Sequence, residues 1–386
     1  MVDPSLFTGR YDDGLCAALA AAGHDTTLFG RPMRATDAIV PAGYRYVPQF
    51  FRIGEAVGRR VGEGRAFRAI KAAEYAVGSR LASVAGMTAD AVHWQWLPFP
   101  AADAQWLRRI GAGSPLVHTV HNADAFHGDG ARDLRSRGYH ALLGCFDALI
   151  VHVEATREAL VARGIVPACI HVVPHPPMRL AFADAAASAA VPAPREPRIL
   201  FFGTIRPYKG VDILIDAALT LWRAGHVFEL ALAGRPSIDL DALLAPVRAD
   251  GFGDRLIVDA GFLPEQRLDA HLRRADILVF PYRHIDASGA LLSALHYGKP
   301  VVASDTGLFA QIAARPELPI LPFAVGDPAT LAAALLPLIG DPAMRREFGA
   351  RAMALDSALG NWEDTAMRTI AVYQAARRHW LDKRGR

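Results

Sequence analysis

The run Ala148-Leu149-Ile150-Val151-His152-Val153 is almost continuously apolar. A strand buried on one face alternates apolar and polar residues, whereas one buried on both faces does not, so this run reads as a strand of a covered parallel sheet. Similar short runs recur at Thr26–Phe29, at Ala91–Trp96 (stopped by Pro98 and Pro100) and at Leu116–His121. Helical stretches separate them, among them Leu15–Ala22, closed by Gly23. Strand–helix–strand alternation predicts a doubly wound α/β sheet. Residues 179–197 are rich in Ala and Pro and form the expected linker. The rhythm then restarts, with strands at Arg198–Gly203, Phe228–Ala233, Leu256–Val258, Ile277–Phe280 and Val301–Ala303, and helices at Val211–Leu221 and Gly289–Tyr297. Two such α/β domains in series fit a chain of 386 residues.

Composition removes several function classes. With 52% hydrophobic residues the chain can bury a large core, which excludes a disordered or fibrous protein. A net charge of +3 is too weak for a dedicated nucleic-acid binder. Three cysteines without paired spacing give neither a disulfide framework nor a cysteine zinc site, and they fit a reducing cytosol. No stretch reaches 18 uninterrupted apolar residues. Met1-Val2-Asp3-Pro4-Ser5 has no basic stretch or apolar core of a signal peptide, and it leaves only Val2 where a first buried strand is expected. The sequence is compatible with a shortened first strand and with a short edge strand.

The chemistry concentrates in the second domain. Gly203-Thr-Ile-Arg206-Pro-Tyr-Lys209-Gly210 lies where a strand turns into a helix. Ligands of open α/β sheets bind beyond the carboxyl ends of strands, and two cations in a glycine-flanked turn at a helix start suit a diphosphate. Ser288 reads as the N-cap of a second helix start, with Gly289 leaving its backbone N–H groups accessible. Asp239-Leu-Asp241 has the outline of a metal-binding pair but sits at a helix start, where acidic residues complement the dipole; no metal site is expected there.

These segments resemble the donor domain of retaining GT-B glycosyltransferases, in particular glycosyltransferase family 4. The likeness lies in Phe202-Gly203-x-x-Arg206-x-x-Lys209-Gly210, Ala233-Gly234, Gly261-Phe262-Leu263-Pro264, Ala275-Asp276-x-x-Val279-x-Pro281 and Gly298-x-Pro300-Val301-Val302-Ala303-Ser304. It continues weakly through the first half and returns at Asn361-Trp362-Glu363, which resembles the start of the family's crossover helix. The resemblance implies two facing Rossmann-like domains. Residues 1–178 would form the acceptor-side domain, joined by the crossover helix at about 361–386, and 198–360 the nucleotide-sugar donor domain. It further implies that Arg206 and Lys209 hold the donor diphosphate, that Gly203, Ser288 and Gly289 line it, and that Phe262 and Leu263 abut the base. His121, at a strand end, would meet the donor sugar or the incoming hydroxyl, and Gly9 would let the backbone approach the donor.

Where the family usually carries two glutamates, this chain has Ile285 and Ser293. Asp286 is the neighbouring carboxylate that could replace the first. Ser293 would give the ribose a weaker contact than glutamate, so restoring the carboxylate there is expected to tighten nucleotide binding if the helix start has room, and to weaken it if another side chain fills that space.

The implied activity is transfer of a hexose from a UDP- or GDP-linked sugar to a hydroxyl of a glycan or lipid-linked glycan in polysaccharide or glycoconjugate synthesis. It is metal-independent, retaining, and needs no cofactor. A nucleotide-sugar 2-epimerase or hydrolase, and a non-catalytic nucleotide-sugar-binding protein, remain as alternatives. Residues 49–82 carry seven basic residues, with Phe67, Ile70, Val77, Leu81 and Val84 on one helical face and Arg65, Arg68, Lys71 and Arg80 on the other. This segment either docks on an anionic membrane or packs on its own domain. A cytoplasmic enzyme, peripheral on the inner face of the membrane, is the corresponding expectation.

Overall fold

The computed structural model describes residues 1–386 apart from 35, 36, 38, 63, 82–88, 122–131, 286, 287 and 386. Two units emerge. One comprises Met1–Pro176 together with Asn361–Arg386, the other Pro177–Gly360. The sequence places the first boundary at residue 178 and the return of the chain at about 361, and the expected linker stretch 179–197 lies in the second unit.

The first unit carries parallel strands β1 (Thr27–Gly30), β2 (Arg45–Pro48), β3 (Val92–Trp94), β4 (Leu116–Val120), β5 (Ala148–Val151) and β6 (Ile170–Val172). β3 to β6 lie side by side in chain order, and β2 pairs with β1. Val2 bridges Phe29 of β1 and Trp94 of β3. The place of a first strand is thus held by Met1 and Val2, with the buried Met1 ammonium donating to the Thr27 carbonyl at 2.7 Å. β4 and β5 are buried at every position, as their unbroken apolar runs require. The terminal helix Trp362–Asp382 packs on this unit: Tyr373 bonds His93 at 2.8 Å and Trp380 donates to the Gly111 carbonyl at 2.9 Å.

The second unit contains β7 (Arg198–Phe202), β8 (Glu229–Gly234), β9 (Leu256–Ala260), β10 (Ile277–Phe280), β11 (Val301–Ser304) and β12 (Leu321–Phe323) in the order β12-β11-β10-β7-β8-β9, all parallel. The order reverses between β7 and β10. In doubly wound sheets the crevice at that switch point takes the ligand. Both sheets are the doubly wound α/β class expected from the alternation.

The segment 49–82 forms two helices, Arg52–Val61 and Arg65–Leu81. Phe67 and Tyr75 are buried, and Glu74 caps the first helix by accepting from the N–H groups of Ile53 and Gly54 at 3.1 and 2.8 Å. Lys71 does not belong to an open basic face. Its ammonium pairs with Glu55 at 3.2 Å and lies 4.3 Å from the Phe51 ring centroid, because the buried Glu55 carboxylate needs it. Val77, expected on the apolar face, is 53% exposed, and Val84 lies outside the described residues. Among the described residues no helix is long and apolar enough to cross a membrane.

Candidate active site

The loops after β7 and β10 flank the switch point of the second unit and are laced together. Gly210 adopts φ 64°, and a Cβ there would stand 1.9 Å from the Pro281 carbonyl oxygen; only glycine accepts both the left-handed backbone and the approach. The Arg283 N–H donates to the Tyr208 carbonyl at 2.7 Å. The Arg283 guanidinium donates to the Pro207 carbonyl at 2.9 Å and grips the Asp212 carboxylate through two bonds at 2.9 and 2.5 Å. Tyr208 stacks on His284 with centroids 5.2 Å apart.

This lacing sets the two cations expected to hold a diphosphate. The Lys209 ammonium lies 5.0 Å from the centroid of the buried Tyr282 ring and 3.4 Å from where a Cβ would stand on Gly203. Burial, and then the neighbouring Arg206 charge, push it from the usual 10.5 down to about 8. Among the described residues no carboxylate contributes to that shift. Arg206 is exposed. Among the described residues, then, the two positive charges have no balancing anion, an arrangement that an arriving anion relieves.

The other expected donor residues lie on the same edge of the sheet. Ser288 is buried, and its hydroxyl accepts from the Leu291 N–H at 3.2 Å as the N-cap of Gly289–Ala294. Gly261 donates to the Gly234 carbonyl at 3.1 Å, and Gly203 to the Ala233 carbonyl at 2.8 Å, so the ends of β7, β8 and β9 are neighbours. Phe262, just beyond, is 61% exposed, and Leu263 packs on the core. Ser293 faces inward: it is buried, and its hydroxyl donates to the Gly289 carbonyl at 2.7 Å, one turn back. Asp286 lies outside the described residues. Asp239 caps the helix Leu240–Ala249 by accepting from the Ala242 N–H at 3.0 Å, and Asp241 pairs with Arg248 at 3.0 Å.

In the first unit, His121 stands one residue past β4. Its Nε2 is 2.8 Å from the Gln95 side-chain oxygen, and its Nδ1 is 3.2 Å from His152 Nε2. Its ring stacks on Trp96 at 5.6 Å. Burial, and then His152 and His175, hold its pKa well below the ordinary histidine range. Tyr11, on the helix Gly9–Ala21, sets its ring against His121, His152 and His175 at 5.3, 5.3 and 4.9 Å. His118 points elsewhere, bonding the Trp94 carbonyl and the Tyr139 hydroxyl at 2.9 Å each, a core histidine as the odd strand spacing from His121 predicts. Gly9 begins its helix, and a Cβ there would meet Ile39 Cδ1, the movable end of a side chain, at 2.7 Å. The sequence reading did not single out His152. A signal was available: His121, His152 and His175 each follow the end of one of three successive strands.

Two α/β units, each built on parallel strands, the second with Arg206 and Lys209 on the loop at its switch point, define a protein of the doubly wound class. Residues 196–341 match the family model described as glycosyl transferases group 1, and residues 8–176 match the glycosyl transferase 4-like domain. A D-inositol 3-phosphate glycosyltransferase of Kineococcus radiotolerans is 31% identical over 327 residues, covering 77% of this chain and 74% of that protein. One from Mycobacterium tuberculosis is 32% identical over 309 residues, covering 74% of this chain and 62% of the relative's own length. The crystal structure of Anabaena HepE in complex with UDP-glucose superposes with a TM-score of 0.67 at 14% identity, over 97% of this chain and 98% of that one; this likeness concerns the fold. The chain belongs to the GT-B glycosyltransferases, with a family 4-like first domain and a group 1 second domain.

Proposed function

We propose that this glycosyltransferase is a retaining, metal-independent hexosyltransferase. It takes the sugar from a UDP- or GDP-linked donor and passes it to a hydroxyl of a glycan or lipid-linked glycan. The observation that carries the reading is the pair Arg206 and Lys209, without a carboxylate partner among the described residues, on the loop that the Arg283–Asp212 latch holds at the switch point. HepE, whose crystal structure holds UDP-glucose, supports the donor class. The curated relatives, named for D-inositol 3-phosphate, extend the acceptor hydroxyls worth testing to those of phosphorylated polyols.

In this reading the bond between the anomeric carbon and the diphosphate oxygen breaks as the acceptor oxygen bonds to the same face of that carbon. The hydroxyl proton leaves with the departing diphosphate. Arg206 and Lys209 stabilise the charge that grows on the leaving group, with Gly203, Ser288 and Gly289 beside it and Phe262 and Leu263 toward the base. His121 orients the sugar or the hydroxyl, with Gly9 and Asp286 as further donor-side candidates. Ser293 contributes through the backbone of its own helix.

The test is Lys209→Ala assayed for nucleoside diphosphate release with and without acceptors. One charge-assisted bond is worth about 1.5–3 kcal/mol, so a loss of at least about tenfold in kcat/KM is expected. An unchanged rate overturns the site, and release that ignores the acceptor favours a hydrolase.

A further inference from the structure

Two of the three histidines Tyr11 touches, His121 and His152, are joined by a hydrogen bond whose direction can be worked out. His152 Nδ1 lies 3.0 Å from the Val173 carbonyl oxygen. A carbonyl only accepts, so Nδ1 of His152 carries the proton. The ring is buried, and burial holds its pKa at about 4, so it is neutral and its Nε2 has a lone pair. The partner of that lone pair, 3.2 Å away, is His121 Nδ1, which must donate. His121 is itself kept neutral by burial and by the histidines around it, so its one proton sits on Nδ1 and its Nε2 is bare. Gln95 meets that Nε2 at 2.8 Å. The two ends of a side-chain amide have nearly the same shape, and the hydrogen-bond network decides which faces where. Here the amide NH2 must face His121.

Turning the amide gives up two long contacts of its nitrogen, 3.3 Å to Met1 Sδ and 3.5 Å to His93 Nε2 (itself bonded to the Thr119 hydroxyl at 2.7 Å), and gains the 2.8 Å bond to His121. His175 bonds the Pro176 carbonyl at 2.7 Å through Nδ1, and Trp96 donates its indole N–H to the Thr8 hydroxyl at 3.1 Å. The Tyr11 hydroxyl has no partner among the described residues.

We infer that His152 is a positioning residue: it holds His121 in the Nδ1–H tautomer, with the Nε2 lone pair of His121 covered by the Gln95 amide. His121 then works as a fixed polar ring and not as a carrier of protons, because protonation at Nε2 requires the Gln95 amide to turn over. The catalytic consequence rests on the reading that His121 meets the donor sugar or the incoming hydroxyl; the tautomer does not.

The experiment has two arms. Histidine-selective 15N labelling of the full chain reads the tautomer of each ring by NMR, with His121 assigned from the peaks lost in His121→Gln. The expected spectrum has a pyrrole-like Nδ1 and a pyridine-like Nε2 for His121. In His152→Leu, which offers no acceptor, the two nitrogens move toward averaged shifts; in His152→Gln, whose side-chain carbonyl can accept, the native pattern returns. In the second arm, kcat for sugar transfer falls by about tenfold in His152→Leu with the donor KM unchanged, and His152→Gln recovers most of it. A native His121 protonated at Nε2, or an Nδ1–H pattern that survives in His152→Leu, overturns the assignment. If the protein transfers no sugar, the first arm still decides the tautomer.

Discussion

The Lys209 ammonium sits over the face of the Tyr282 ring, 5.0 Å from its centroid, in surroundings that pull its pKa to about 8. The ring face favours the cation, whereas burial and Arg206 oppose it, and the opposition wins. A diphosphate that binds here restores the charge. Binding at pH 8.5 is therefore expected to take up a proton, and affinity should decline as pH rises past about 8. Calorimetric titrations in two buffers of different ionisation heat measure the uptake. Equal apparent enthalpies in both buffers would show that Lys209 does not change charge. Lys209→Arg, charged throughout, is expected to flatten the pH profile.

The close approach at Gly210 predicts a stability difference between two glycines. Gly210→Ala meets a left-handed backbone, worth about 1–2 kcal/mol, and a backbone carbonyl that no side-chain rotation can clear. Gly225→Ala, at φ 89° with nothing within 4 Å, meets the backbone cost alone. Urea unfolding of both variants should show the larger loss for Gly210→Ala. Equal losses would mean that the two loops are not clamped together.

Ser293 reverses the sign that the family resemblance leads one to expect. The residue is buried and its hydroxyl is spent on Gly289, so a glutamate there places a carboxylate in the core without a partner. Ser293→Glu is expected to cost about 3–5 kcal/mol of stability and to weaken nucleotide binding, whereas Ser293→Ala stays within about 1 kcal/mol of native. Thermal unfolding and a nucleoside diphosphate titration of both variants check this. Tighter binding by Ser293→Glu without loss of stability would place the side chain at the ribose after all.

The segment 49–82 can be tested by stability and by vesicle binding. Burial raises the pKa of Glu55, but Arg34 and Lys71 more than offset it, so the carboxyl titrates below its usual 4.5. A depressed carboxyl contributes stability that is present above its unfolded pKa and lost as pH falls below it. Lys71→Gln should therefore destabilise the protein near pH 7, and the gap to native should narrow as pH drops below 4.5. Binding to anionic vesicles should be unchanged in this variant, since Lys71 is taken up by Glu55. A variant that sheds vesicle binding at native stability would return Lys71 to the membrane face.

Strands β7 to β10 of the second sheet are legible because each is a short apolar run closed by glycine or proline, a local signal, and β11 because its run Val301–Ala303 directly follows Pro300. β2, β6 and β12 were not read as strands: Arg45–Pro48 is exposed at both ends, and Ile170–Val172 and Leu321–Phe323 are three residues each, too short for a period to show. The loop place of Arg206 and Lys209 is legible because their motif begins at the end of β7, and the N-cap role of Ser288 because a serine precedes a glycine-led helix. The relation of His121 to His152 was not, since residues 31 apart meet only once β4 and β5 pair. The inward turn of Ser293 was equally hidden, because spacing names a helix position but not the bond its hydroxyl makes.

The return of the last 26 residues to the first unit orders events in time. During synthesis residues 177–360 are complete, and can close their sheet, before the ribosome has made Trp362, Tyr373 or Trp380. The unit begun first is the one finished last. Until that helix emerges, the faces awaiting it, among them Gly14 beneath Trp362 and His93 beside Tyr373, stand open to solvent and to chaperones. A stop codon near residue 360 would thus injure the unit farthest from it in sequence and spare its neighbour.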